Sequence, residues 1–196
     1  RELGRYVHPG FFYSEPQIVD INENGVEEIL LAGINNAFDQ AVFTVLDPRH
    51  IEGHGPTRGD YTVEGMNPAR ELVYLRIPPT VVDRAQPRVV NKAGEITLLQ
   101  NKRINVDVFD GKHPADGDRV SKVMVGLNRS FEPVAIGTSS QYDHLAEWLV
   151  TQGRIDDVPD YDYFQRYKQS FQYWTGSEWS SEPTMNVRWR DVVGAN

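Results

Sequence analysis

The sequence predicts a mainly β protein: propeller-like blades or a β-sandwich of short antiparallel strands, with one helix near residues 140–152. Three observations carry this. Short runs rich in β-branched and aromatic residues recur at spacings of roughly 10–15 residues, each bounded by turn residues. One of them, ELVYLRI at 71–77, sets Leu72, Tyr74 and Arg76 against Val73, Leu75 and Ile77, the period-2 pattern of a strand. Clear helical spacing with caps at both ends occurs in one segment, SSQYDHLAEWLVTQG at 139–153.

Taken in order, residues 1–16 mix aromatics with Pro and Gly and read as a lead-in or short edge strand. QIVDI at 17–21 has strand composition. ILLAGI at 29–34 is apolar at consecutive positions, as in a strand buried on both faces. NNAFD turns the chain, and AVFTVLD at 41–47 is a further strand stopped by Pro48. Residues 48–69 are rich in Gly, Pro and polar residues and read as a long loop, a common seat of function. After ELVYLRI, the PPT stretch breaks the pattern. EITLLQ, INVDVF, KVMVGL and PVAIGT then follow as strands, with VGLNRSFEPV as a hairpin. In the helix, Ser139 or Ser140 can cap the N-terminus. Leu145, Trp148 and Leu149 share a face, and Gly153 can close the end. Phe164, Tyr167 and Phe171 fit a short second helix near 161–167, and residues 170–179 read as a terminal hairpin.

The chain has 196 residues, of which 39% are hydrophobic and 24% charged, enough for a packed core and too apolar for general disorder. That length fits one mostly-β domain over 1–196, or the C-terminal part of a larger propeller. Net charge is −8, which opposes nucleic-acid binding and tolerates cations. The absence of cysteine excludes disulfides, thiolate zinc sites and cysteine nucleophiles. No apolar run reaches the roughly 20 residues of a membrane span. The chain opens RELGRY, without an initiator Met or a signal peptide, and reads as a mature product or a piece of something longer.

The sharpest chemical signal is QIVDINENGVEEILLAGINN at 17–36. With Asp20 as position 1, Asn22 is at 3, Asn24 at 5, Gly25 at 6, Val26 at 7 and Glu28 at 9. Oxygens at alternate positions can converge on Ca2+, a hard cation that takes about six to eight of them. Gly25 can turn the backbone with positive φ, the Val26 carbonyl can point inward, and the Glu28 carboxylate can close the site. An EF-hand needs an acid at position 12, where this chain has Leu31, and a helix after it, where this chain has a strand. The competing reading is a polar Asx turn without an ion.

On these residues the segment resembles the FG-GAP/VCBS family of calcium-loop repeats, with motif D-x-D-x-D-G-x-x-D/E before an apolar strand. The resemblance covers about residues 17–46. It implies a β-propeller blade and a structural Ca2+ between its strands, held by Asp20, Asn22, Asn24, Val26 and Glu28. Two departures matter. Asn at positions 3 and 5 lowers the ligand charge from roughly −4 to −2, which weakens binding. The motif also occurs once, whereas 196 residues would make at most about four blades.

Other signals are weaker. His50 and His54 have zinc-pair spacing, but Gly53, Gly55 and Pro56 oppose a helix there. RGD at 58–60 is an adhesion tripeptide that recurs by chance. Asp107, Asp110, Asp116 and Asp118 match no cation motif and read as a hairpin loop with Asp-Gly turns. Trp148, Trp174, Trp179 and Trp189, with Tyr161, Tyr163, Tyr167 and Tyr173, form either an aromatic core or a stacking surface for sugars. No nucleophile elbow, phosphate loop or dinucleotide fingerprint is present. The sequence therefore points to a non-catalytic, extracytoplasmic, calcium-binding β module. Its role would be structural or adhesive, with a protein or glycan partner or further domains of a longer chain. The alternatives are a carbohydrate-binding domain or a hydrolase acting through residues 48–69.

Overall fold

The computed structural model describes residues 6, 8, 10–50, 57–58, 62–63, 71–87, 91–100, 103–175 and 178–183. The chain is mainly β, built on two antiparallel sheets. The larger comprises β1 (Gly10–Phe12), β2 (Gln17–Val19), β3 (Glu28–Asn35), β4 (Gln40–Leu46), β7 (Glu71–Ile77), β12 (Gln172–Trp174) and β13 (Trp179–Ser180). Its order is β1-β3-β4-β7-β12-β13, with β2 also paired to β3. The smaller is an up-and-down meander of β8 (Lys92–Leu98), β9 (Ile104–Gly111), β10 (Ser121–Leu127) and β11 (Pro133–Thr138). A short ladder of β5 (Thr57–Arg58) and β6 (Thr62–Val63) lies in the expected 48–69 loop. Pro48–His50 form a 3-10 turn at its start, and residues 51–56, 59–61 and 64–69, with His54 and most of RGD, fall outside the described residues.

β1 and β2 act as one broken edge strand along β3. The break is local chemistry: Tyr13 and Ser14 both donate their N–H to the Ala32 carbonyl, and Ser14 Oγ accepts the Ala32 N–H. Pro16, without an N–H, separates the two segments. β1 approaches β3 so closely that a Cβ on Gly33 would lie 2.0 Å from the Phe11 carbonyl oxygen. Gly33→Ala is expected to lift β1 off the sheet. The check is faster amide exchange at Phe11 and Phe12 with β4 protection unchanged, and unchanged exchange at β1 would refute it.

One continuous apolar core spans both sheets. Leu30, Ala32, Phe43, Val45 and Leu75 supply the larger sheet's side; Ile104, Val106, Val108, Val123, Val125 and Leu127 supply the other. The helix α2 (Ser140–Thr151) adds Tyr142, Leu145, Ala146 and Leu149. Ser139 caps it, its side chain accepting the Tyr142 N–H at 3.2 Å. Gly153, at φ 63°, follows its C-terminus. The helix α3 (Tyr161–Lys168) is capped by Asp160 and inserts Tyr167. A further turn, α1 (Val81–Arg84), starts at Thr80, whose Oγ1 accepts the Asp83 N–H. At PPT the sequence predicts only a break, whereas Thr80 supplies the cap that starts this turn. β8 also starts at Lys92 rather than Glu95, because Gly94 is admitted to the strand where the Phe109 ring leaves no room for a Cβ. Among the described residues no helix is long and apolar enough to cross a membrane.

The central strands β4 and β7 are covered on their outer face too. Val42 and Tyr74 are buried there under Phe38, Trp174 and Trp179. The Arg76 guanidinium sits 5.0 Å from the Phe38 ring centre and 4.3 Å from that of Trp179, and it donates to Gln172 Oε1. The C-terminal tryptophans in this layer thus serve packing. Tyr161, 74% exposed, is the open ring of the group, and Trp189 lies outside the described residues.

His8 joins the same layer, its Nε2 2.7 Å from the Tyr74 hydroxyl. Burial lowers its pKa from 6.5 to about 4. A depressed histidine pKa contributes stability that is present above 6.5 and lost as the pH falls towards 4. His8→Gln is therefore expected to flatten the fall in melting temperature across that window. Parallel profiles for the two proteins would show the assignment to be wrong.

Candidate metal centre

The 20–28 loop closes the hairpin between β2 and β3, with Val19 and Glu28 in register at its base. Its turn uses two left-handed residues, Glu23 at φ 63° and Gly25 at φ 84°. Gly25 thus has the positive φ expected of position 6. Nothing lies within 4 Å of where its Cβ would be, so backbone conformation alone demands glycine there.

The side-chain oxygens of the loop are oriented by backbone N–H groups. Asp20 Oδ1 accepts from Asn24 N–H at 3.0 Å, and Oδ2 from Gly25 N–H at 2.8 Å. Asn22 Oδ1 accepts from the same Asn24 N–H at 3.1 Å, so the oxygens of positions 1 and 3 converge on one proton. Asn24 Oδ1 accepts from Val26 N–H at 2.7 Å. Glu28 Oε2 accepts from Ile21 N–H at 3.0 Å, and Asn22 Nδ2 makes a long 3.4 Å contact to Oε1. All five expected residues therefore belong to one hydrogen-bonded loop. Val26 enters it through its N–H.

A polar turn without an ion accounts for the contacts among Asp20, Asn22, Asn24 and Val26. It does not require Glu28. That residue is 1% exposed, as is Asp47, which sequence reasoning had left out of the site. Strand pairing brings Asp47 there. Ile29 faces Leu46, so one further step of the antiparallel register places Asp47 beside Glu28. Asp47 is clamped by Arg49, whose Nε and Nη2 donate at 2.9 and 2.8 Å. Burial pushes the Glu28 carboxyl above its ordinary range, and the charges of Asp20 and Asp47 add to the rise, against the lowering by the Ile21 N–H. The loop is also tied to the second sheet. Arg129, in the β10–β11 hairpin, lies 3.3 Å from Glu23 Oε2 and 3.4 Å from the Ile21 carbonyl oxygen.

The acidic stretch 107–118 is divided among other partners. Asp107 takes the Lys122 ammonium at 2.5 Å, and exposed Asp118 lies 3.5 Å from Lys112 Nζ. Asp116 turns to His144. The side chains of His50 and Asp110 fall outside the described residues.

Comparison with protein-family models, with characterised proteins and with solved structures finds no match to this chain.

Proposed function

We infer that the 20–28 loop is a Ca2+ site and that the protein is a non-catalytic β module whose hairpin the ion rigidifies. The observation that carries this is Glu28, a carboxylate buried among Asp20 and Asp47 at the base of a loop of converging oxygens. An anion so placed is costly unless a cation offsets it. Oxygen donors and no nitrogen or sulfur suit a hard cation, and the spread of donors suits Ca2+ better than the tight octahedron of Mg2+. Asp20 and Glu28 supply the ligand charge, and Asn22, Asn24 and the Val26 carbonyl are the neutral donors. So low a charge predicts affinity in the range of about 0.1–1 mM, that of extracellular modules. Such an affinity would suit an extracytoplasmic setting, with the stiffened hairpin serving adhesion or assembly with a protein or glycan partner. Calorimetric titration of metal-free protein with Ca2+ tests the site. One equivalent is expected, and no heat and no thermal shift at millimolar Ca2+ would refute it.

Asn24 sharpens the test. Its Nδ2 is buried without a hydrogen-bond partner, a cost of about 1–3 kcal/mol. Asn24→Asp replaces that donor with a second oxygen acceptor and adds a negative charge. Calcium affinity is expected to rise roughly tenfold, while melting temperature in chelator falls because Asp20 and Glu28 then face a third carboxylate. Equal calcium affinity in the variant and the parent would remove Asn24 from the ligand set.

A further inference from the structure

A second cluster lies away from the calcium loop, where the β9–β10 connection meets α2. His113 caps a 3-10 turn, Pro114–Asp116, its Nδ1 accepting the Ala115 N–H at 3.0 Å. Asp116 ends that turn. His144 comes from the second turn of α2, and its Nδ1 lies 3.1 and 3.3 Å from the two Asp116 carboxylate oxygens. The two imidazoles stack with centres 4.0 Å apart. Trp148, one helical turn beyond His144, sets its ring edge-on to His113 at 5.4 Å. One ligand atom from each of His113, Asp116 and His144 lies within 4.8 Å of the other two.

We propose that His113, Asp116 and His144 form a binding site for a divalent transition-metal ion of the zinc class. Two imidazoles and one carboxylate are a common donor set for such an ion, and a poor one for Ca2+. In a four-coordinate site, bonds of about 2.0–2.1 Å place ligand atoms roughly 3.4 Å apart. The His144–Asp116 pair already has that separation, and the third ligand has to close by little more than 1 Å.

The supports are stiff where they need to be. α2 is anchored by Tyr142, Leu145, Ala146 and Leu149, all in the core. His113 is 7% exposed, held between His144 and Trp148. The two histidines are in complementary states. His113 Nδ1 accepts a backbone N–H and therefore carries a lone pair, whereas His144 Nδ1, which faces a carboxylate, carries a proton that leaves to water as the ion binds. Metal capture exchanges the Ala115 and Asp116 contacts for coordinate bonds by small ring movements. The His144 side chain is 49% exposed, so the fourth position faces solvent and takes water. An ion there would pin the β9–β10 connection to α2.

The test uses the untagged chain after dialysis against chelator. Zn2+ uptake is read by calorimetry, and Co2+ uptake by its visible absorption. The expected result is one equivalent of either ion, with the Co2+ bands of a four-coordinate nitrogen–oxygen site. His144→Gln and Asp116→Asn alter partly exposed side chains and are expected to keep the wild-type circular dichroism. Each should weaken uptake at least about tenfold. Asp20→Ala should leave zinc uptake unchanged and abolish calcium uptake, so the two sites fail independently. Three outcomes would overturn the proposal: no uptake, uptake unaffected by both variants of the cluster, or uptake lost with Asp20→Ala.

Discussion

Glu28→Gln is expected to abolish the calcium-dependent rise in melting temperature and to make the calcium-free protein more stable, not less, at neutral pH. The reason lies in the direction of the Glu28 pKa. Burial raises it, Asp20 and Asp47 raise it further, and the Ile21 N–H offsets only part. A carboxyl with a raised folded pKa contributes stability that is fully present below its ordinary value of 4.5 and is lost as the pH rises through the folded value. Above that window ionised Glu28 weighs against folding, and on the proposed function bound Ca2+ is expected to relieve it. Glutamine keeps an oxygen for the Ile21 N–H and gives up the long contact with Asn22. In wild type, Ca2+ at tenfold excess over Kd adds about 1.4 kcal/mol, or about 3–6 °C for a chain of this size. Glu28→Ala should behave differently from Glu28→Gln, because it leaves the Ile21 N–H buried without an acceptor, a loss of about 1–3 kcal/mol. Melting curves from pH 4 to 8, with calcium and with chelator, decide the matter. A glutamine variant that retains the calcium shift, or whose calcium-free profile runs parallel to wild type, would remove Glu28 from the site.

How much of this could be read beforehand depends on the distance over which each feature is encoded. The strands were legible because their signal is local: the alternation in ELVYLRI, the run ILLAGI and the stops at Pro48 and Pro78 need only neighbours. The helix at 140–151 was legible because Ser139 and Gly153 bracket it. In the loop, the residue types and the positive φ of Gly25 followed from spacing. The burial of Glu28 and the arrival of Asp47 did not. Both depend on β4 pairing with β3 in one register, which a motif cannot express. The outer layer was hidden for the same reason: Arg76 meets Phe38 and Trp179, which lie 38 and 103 positions away in the chain. The 107–118 acids show how a local reading misgroups residues. Asp116 was set beside Asp107 and Asp118, whereas its partner, His144, lies on a helix 28 positions away. A histidine five residues after a capping Ser carries no metal signature of its own. It could be found only once α2 was packed against the β9–β10 connection.

The largest loss of stability is expected at Phe131, where three parts of the fold meet. The residue sits at the tip of the β10–β11 hairpin with φ 60°, an uncommon conformation for an aromatic residue. The turn holds it there: its N–H donates to the Asn128 carbonyl at 2.9 Å, and Asn128 Oδ1 accepts from Ser130 and Glu132. The ring is fully buried and lies 6.0 Å from that of Phe43 on β4. Its carbonyl accepts the Tyr173 hydroxyl from β12 at 2.8 Å, a bond inside the core. A left-handed backbone is thus spent on driving one ring from the smaller sheet into the larger. Phe131→Ala keeps the strained backbone and removes the ring, so the loss is expected at about 3–5 kcal/mol. The urea midpoint should fall with little change in the slope of the transition, since the surface exposed on unfolding stays nearly the same. Tyr173→Phe removes only the hydroxyl and should cost about 1 kcal/mol. The double variant should lose less than the two single losses combined, because without its ring Phe131 no longer fixes the carbonyl that Tyr173 reaches. A loss under about 1 kcal/mol for Phe131→Ala, or strict additivity with Tyr173→Phe, would mean that the hairpin docks by other contacts and that Phe131 does not couple the sheets.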